Sequence, residues 1–253
     1  MSIAEKLTTI AENQQKVYDK GLADGKAQGG NGDISWDVVQ DNGNRTMYMY
    51  GFAYWSMREC NPKYKIVPTG TYFQNAFQGC LNLEEVDWTK FDLSQCGSFY
   101  NTFYNCFALK SIDIDLRPTA TTATVFNNTF RSCMALKKIQ KIVPKVTHTW
   151  TDCFYKCYEL EDVTFGEYLI GNDISFADCS KLSKDSILSI LNALSLETNS
   201  NKTLTLNKTA VNTAFDFDID DPDTYDYLSN GFLITAGVIP NWTIMVGDTK
   251  LWQ

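Results

Sequence analysis

The sequence predicts an α/β-type repeat solenoid, in which short parallel strands stack unit on unit between an N-terminal helix and capping elements. Two observations predict it. The first is a decapeptide that returns: FQGCLNLEEV (77–86), FYNCFALKSI (103–112), FRSCMALKKI (130–139) and FYKCYELEDV (154–163), with a shortened fifth copy, FADCSKL, from Phe176. The second is its period. Aligned on cysteine, the copies are 26, 27, 24 and 22 residues apart. That is the length of a unit too short to bury its own apolar side and therefore obliged to stack.

Each full copy carries further constraints. An aromatic residue sits four positions before the Phe (Phe73, Phe99, Phe126, Trp150), and Asn75, Asn101, Asn128 or Asp152 sits two before it. The unit reads aromatic-x-Asn/Asp-x-Phe-x-x-Cys-x-x-Leu-x-x-Val/Ile. Its last segment suits a short strand with alternate residues inward, Val86 and Trp88 in the first copy and Ile112 and Ile114 in the second. Phe-x-x-Cys packs on that strand from the opposite side. Cysteine fits there as a small, unbranched apolar residue, and stacking builds a ladder of thiols. Cys153, beside Cys157, is read as a coincidental extra. Lys141 stands where the third unit needs an inward apolar residue, so an irregular strand is expected near 139–144.

The repeats resemble the BspA-type leucine-rich repeat, whose signature is Phe-x-x-Cys-x-x-Leu. The resemblance runs over residues 71–194 and implies a leucine-rich-repeat solenoid that presents an interaction surface.

Around that domain, residues 1–20 place Ile3, Leu7, Ile10, Gln14 and Val17 at alternating four- and three-residue steps, an a/d seam. It spans little more than two heptads, which is marginal for a lone helix, so it either self-associates or docks on another protein. Residues 21–32 (GLADGKAQGGNG) read as a Gly-rich linker. Residues 33–70, dense in aromatics, read as an N-terminal cap, and 195–253 as a C-terminal cap. Ser183 can cap a helix with Ile187, Leu188, Ile190, Leu191 and Leu194 on its apolar side. TLTL (203–206) and WTIMV (242–246) read as strands, and NKTAVNTAF (207–215) as a short helix. The segments MSIAEKLTTIAENQQKVYDKG, WDVVQDNGNRTMYMYGFAYW, PKYKIVPT, SKDSILSILNAL, NKTAVNTAF and NWTIMV resemble, in order, parts of repeat-bearing tail or baseplate-associated proteins of phages and prophages of gut Gram-positive bacteria. That resemblance implies a virion structural or host-contact role.

Composition narrows the function. A net charge of −8 with no basic cluster argues against nucleic acid and against anionic membrane surfaces. The N-terminus carries no basic start followed by an apolar stretch, which points to assembly in a cytoplasm, with carriage on a virion as the way out. Eight cysteines without CxxC, and a single histidine, His148, leave no zinc pattern and no nucleophile–base pair. His148 is expected on a solvent-facing loop. The acidic run 216–223 (DFDIDDPD) fails the EF-hand pattern at its sixth and twelfth positions, Asp221 and Tyr227, so a solvated loop is expected there, with an irregular calcium site as the alternative. No catalytic residue, metal or cofactor is assigned.

What remains is a surface. The outward strand residues would form a grid of Glu85 and Asp87, Ser111 and Asp113, Lys138 and Gln140, Asp162 and Thr164, in which opposite charges of adjacent rows can pair. Tyr100, Tyr104, Tyr155 and Tyr158 are expected on the outer side, where a glycan could stack. The expected role is a non-enzymatic phage tail or baseplate protein that binds a host-surface protein or glycan, with residues 1–20 trimerising it or docking it to a tail or baseplate protein. A BspA-like bacterial surface adhesin or interaction module is the alternative.

Overall fold

The computed structural model describes residues 58–60, 66–68, 73–167, 169–197, 200–221 and 239–252. The seam residues Ile3, Leu7, Ile10, Gln14 and Val17, the linker and most of the N-terminal cap lie outside them.

Each unit turns twice into left-handed backbone. Asn75, Asn101, Asn128 and Asp152 have φ between 50° and 58°, and four residues on Gly79, Asn105, Ser132 and Lys156 have φ between 61° and 78°. The first position is Asn or Asp because those side chains tolerate this region best after glycine. Between the two, backbone N–H groups alternate in direction. Those of Phe99, Asn101, Phe103 and Asn105 donate to Val125, Asn127, Thr129 and Arg131 of the next unit at 2.9–3.1 Å. Those of Thr102, Tyr104 and Cys106 close turns within their own unit at 3.0–3.1 Å. The outer side of the stack is thus hydrogen-bonded along its length without being a sheet.

Two columns of rings fill the space beneath. Phe77, Phe103, Phe130, Phe154 and Phe176 stack face to face at centroid spacings of 4.4–5.8 Å. Phe99, Phe126 and Trp150 stack at 5.7 and 4.8 Å, and Phe73 meets Phe99 edge-on at 6.1 Å. The Phe77-to-Phe176 column is fully buried.

The repeat cysteines are buried as expected, but they are more than filler. The thiols of Cys106, Cys133 and Cys157 donate to the carbonyls of Phe77, Phe103 and Phe130, one unit back, at 3.0–3.1 Å. Burial pushes Cys60, Cys80 and Cys96 up to about 12, so these thiols stay protonated at neutral pH. Cys153 is not a coincidence of sequence. It occupies the slot of Thr102 and Thr129, whose hydroxyls donate to Phe73 and Phe99 at 2.9 Å, three residues after each aromatic. Because the Cys133 thiol is a donor, Cys133→Ser should retain more stability than Cys133→Ala, the reverse of the order expected for a purely apolar site. Equal or inverted midpoints in urea would show that the thiol acts by volume alone.

On the opposite side runs a parallel ladder. β1 (Glu59–Cys60) pairs with β2 (Glu85–Val86), and β3 (Ser111–Leu116), β4 (Lys138–Ile142) and β5 (Asp162–Phe165) form one sheet in that order. Ile112, Ile139 and Val163 align, as do Leu116, Ile142 and Phe165. The inward pair is therefore four, three and two residues apart, and the excess is absorbed by register shifts. The irregular strand expected near 139–144 is one of these shifts, with Ile142 turned inward and Lys141 left part-exposed. One expected inward position changes for the same reason: Ile114 is only partly buried and Leu116 takes the core place. Trp88 stays buried, but in a 3-10 turn, Trp88–Lys90, rather than in the strand.

The ladder ends on a helix. α1 (Lys184–Ala193) is capped by Ser183, whose hydroxyl accepts from Ser186 N at 3.3 Å, and buries Ile187, Ile190 and Leu191. Ser186 and Ser189, one turn apart, accept from Val163 N and Phe165 N at 2.9 Å. Two hydroxyls thus receive the β5 donors that another strand would have taken, and Ser186 returns a bond to Glu161 O at 3.0 Å. Ser186→Ala leaves Val163 N–H and Glu161 C=O without that buried partner, so a loss of about 1–3 kcal/mol is expected in chemical denaturation.

The outer side continues differently. β6 (Ile174–Phe176), β7 (Lys202–Leu206) and β8 (Trp242–Val246) are parallel, and β9 (Thr249–Trp252) closes a hairpin on β8. The fifth Phe therefore sits in a strand. α2 (Lys208–Phe215) follows β7, capped by Asn207 accepting from Ala210 N at 3.2 Å.

Candidate functional site

The ladder holds its outward residues in rows about 4.8 Å apart. Glu85, Asp113, Lys138, Gln140, Asp162 and Thr164 are exposed, and Asp87 and Ser111 are half-buried. Not all are free to meet a partner. The Asp87 carboxylate accepts from Thr89 N at 3.1 Å and caps the 3-10 turn. Ser111 donates to Asp113, Gln140 donates to Asp115 at 3.0 Å, and Asp162 accepts from Ser183 Oγ at 3.1 Å. The expected pairing across rows is present as Lys138 Nζ to Asp113 at 3.5 Å.

A second line of charges, one residue closer to each repeat leucine, escaped the sequence reading. Glu84, Lys110, Lys137 and Glu161 directly follow Leu83, Leu109, Leu136 and Leu160, a spacing that could have revealed them. Their backbones bond in succession at 2.9–3.0 Å, so they stand side by side. Lys110 bridges Glu84 at 2.6 Å and Glu85 at 3.3 Å, Lys137 faces Glu161 at 3.9 Å, and Arg58 pairs with Glu84. Lys110, then Arg58, hold the Glu84 carboxyl below its ordinary range, and Glu84 in turn raises Lys110. These pairs are solvent-facing and contribute little to stability, but they fix where each charge stands.

The outer side carries Tyr100, Tyr104 and Tyr155, while Tyr158, directly after Cys157, stands at the turn that leads into the strand. Tyr155 and Tyr158 are each 42% exposed, and Tyr100 and Tyr104 are half-buried. The Arg131 guanidinium lies 4.9 Å from the Tyr155 ring and 5.8 Å from the Tyr104 ring and pairs with Asp152.

His148 corrects the expectation of a solvent-facing residue, for it is fully buried. Its Nδ1 accepts from Lys145 N at 3.0 Å and its Nε2 lies 3.2 Å from Ala120 O, an arrangement that places the proton on Nε2. Burial holds its pKa below the usual 6.5; the bond to Ala120 O pulls it partly back up, and the Lys145 charge adds a smaller downward push. The unfolded chain therefore binds a proton that the folded one refuses, and stability falls as pH drops below about 6.5 until the folded pKa is passed. Because this is the single histidine, His148→Gln should flatten the slope of stability against pH just below about 6.5. An unchanged slope would place that titration elsewhere.

In the acidic run, Asp218 accepts from Asn212 Nδ2 and Asp220 N at 3.1 Å, and Asp220 pairs with Lys208, which lowers its pKa. Among the described residues no group of three or more His, Cys, Asp or Glu could hold a metal ion, and no helix is long and apolar enough to cross a membrane.

The comparisons agree with this geometry at the level of the repeat. The model of the BspA type leucine rich repeat region matches residues 46–183 and 100–210 in 6 copies, reaching into the stretches read above as caps. Neither a curated protein nor a solved structure matches the chain. The match covers more than half of the sequence, and with the thiol ladder, the ring columns and the parallel strands it identifies the chain as a member of the BspA-type leucine-rich repeat family.

Proposed function

We propose that this repeat chain is a non-enzymatic interaction module, a leucine-rich-repeat solenoid whose strand face binds a protein or glycan of a host-cell surface. The observation that carries the reading is the rigid row geometry itself. Ion pairs hold Glu84, Glu85, Lys110, Lys137, Lys138 and Glu161 in place on an exposed ladder. Such pre-set charges favour selectivity and fast encounter over chemistry.

The finer placement, on a phage tail or baseplate assembled in the host cytoplasm, draws support from the resemblance of the flanking segments and from the a/d spacing of Ile3, Leu7, Ile10, Gln14 and Val17. In this reading residues 1–20 attach the chain to a tail protein or trimerise it. Light scattering tests the second option: the full chain should run near three times 28.6 kDa, and Leu7→Asp with Ile10→Asp should return it to one. A monomer in both cases removes self-association. Labelled full chain should also bind intact gut Gram-positive cells, with Lys110→Glu and Lys138→Glu reducing that binding. Binding that ignores both substitutions would move the site off the strand face.

A further inference from the structure

The residue after each repeat cysteine is apolar in every full copy: Leu81, Phe107, Met134 and Tyr158. The core does not take them. Each occupies the corner of a turn closed by the leucine two positions on, Leu83, Leu109, Leu136 or Leu160, whose N–H bonds the cysteine carbonyl at 3.2–3.3 Å. All four side chains are left partly or well exposed. Stacking therefore lines them into an apolar ridge along the edge of the ladder. Beside the ridge, on the strand side, runs the row Glu84, Lys110, Lys137, Glu161.

We infer that this edge is a docking strip for an amphipathic helix of a partner protein, whose charges run basic, acidic, acidic, basic along one face beside an apolar stripe. The inference rests on the interaction-module reading and narrows its ligand to a protein. Three arguments converge on it. The ladder's charges run acid, base, base, acid, with Lys110 and Lys137 half-exposed at the centre, so the complement is fixed in order and sign. The spacing suits a helix. Rows about 4.8 Å apart put the four charges at about 0, 4.8, 9.6 and 14.4 Å, while helix residues i, i+3, i+7 and i+10 stand on one face at about 0, 4.5, 10.5 and 15 Å. The ridge sets Leu81 and Met134 beside the rings of Phe107 and Tyr158, an apolar surface that suits the apolar stripe of a helix. A second copy does not suit the strip. The charge order reads the same from either end, so two such rows set against each other over their full length meet like on like in either direction.

The test uses the full chain and two synthetic helical peptides of identical composition. One carries Lys, Glu, Glu and Lys at i, i+3, i+7 and i+10 with leucines on the adjoining stripe, and the other has the four charges inverted. Fluorescence anisotropy at low salt should show the first binding about tenfold tighter, the effect of one or two well-placed rim charges, and the gap should close at high salt. Lys110→Glu with Lys137→Glu leaves a row of four carboxylates that offers each peptide two attractive and two repulsive contacts, so it should abolish the preference, and Phe107→Ser with Met134→Ser should weaken both peptides alike while circular dichroism stays unchanged. Equal affinities, no binding of either peptide, or a preference that survives the lysine reversal would overturn the inference, as would self-association abolished by that reversal. If the chain binds bacterial cells in a way that Lys110→Glu and Lys138→Glu reduce, but prefers neither peptide, the docking strip fails while the interaction-module reading stands. If the peptide preference holds but no cell surface is bound, the host-surface reading fails and the strip remains.

Discussion

Replacing Phe130 with alanine is expected to lower stability by about 3–5 kcal/mol, the largest effect of any single substitution considered. Phe130 is the middle ring of its column, stacked at 5.8 Å on Phe103 and 5.7 Å on Phe154, with planes 2° and 23° apart. It is fully buried, so truncation removes both its transfer energy and its contacts with two neighbouring units. The gap cannot easily close. The Phe130 backbone is held by its N–H to Cys153 O at 3.1 Å, and its carbonyl receives the Cys157 thiol at 3.1 Å. A repeat stack also transmits the damage, because each unit is stabilised chiefly by its neighbours. Urea unfolding should show either a lower midpoint or, if the stack divides at the third unit, a broadened transition with a smaller slope. An unchanged midpoint would mean that the two columns do not carry the core.

Gly171→Ala is expected to cost about 1–3 kcal/mol through overpacking. Gly171 is buried, and a β-carbon there would lie 2.3 Å from Val146 Cγ1 and 2.5 Å from Val146 O. The second contact is with backbone, so a side-chain rotation cannot relieve it. Nor can the 145–148 turn retreat freely. Asn172 Nδ2 donates to Val146 O at 3.2 Å and His148 O at 3.1 Å, and the His148 ring is wedged edge-on against Phe126 at 5.6 Å. The substitution should therefore lower the thermal midpoint and raise amide exchange in the turn around His148 before it affects the first repeats. Uniform exchange across the chain would instead indicate that the stack opens as one unit.

These residues also show what was legible beforehand. The Phe, Cys and Leu columns were readable because a stack repeats the same packing problem in every unit, and the sequence repeats the same solution. The helix with Ser183 at its start, the helix after Asn207 and the strands TLTL and WTIMV were readable from local caps and alternation alone. The grid positions emerged because strand alternation assigns faces. Glu84, Lys110, Lys137 and Glu161 were missed because they precede the strands, where alternation does not reach. His148 was misplaced because nothing in KVTHTWTDC marks a loop that packs onto Phe126 and bonds back to Ala120. The role of Ser186 and Ser189 is not legible in the helix pattern, since only the neighbouring β5 makes them acceptors.

The sequence by itself determined the unit, its period, the reduced and buried thiols, and the family to which they belong, since all of these follow from short-range patterns repeated along the chain. Tertiary structure alone decided the rest. It made the cysteine a hydrogen-bond donor to the preceding unit, turned the strand register to bring Leu116 and Ile142 inward, ended the ladder on two hydroxyls, and aligned four apolar corners beside four charges. Each of those depends on which group of one unit faces which group of the next, a distance of a few ångströms in space and more than twenty residues in sequence.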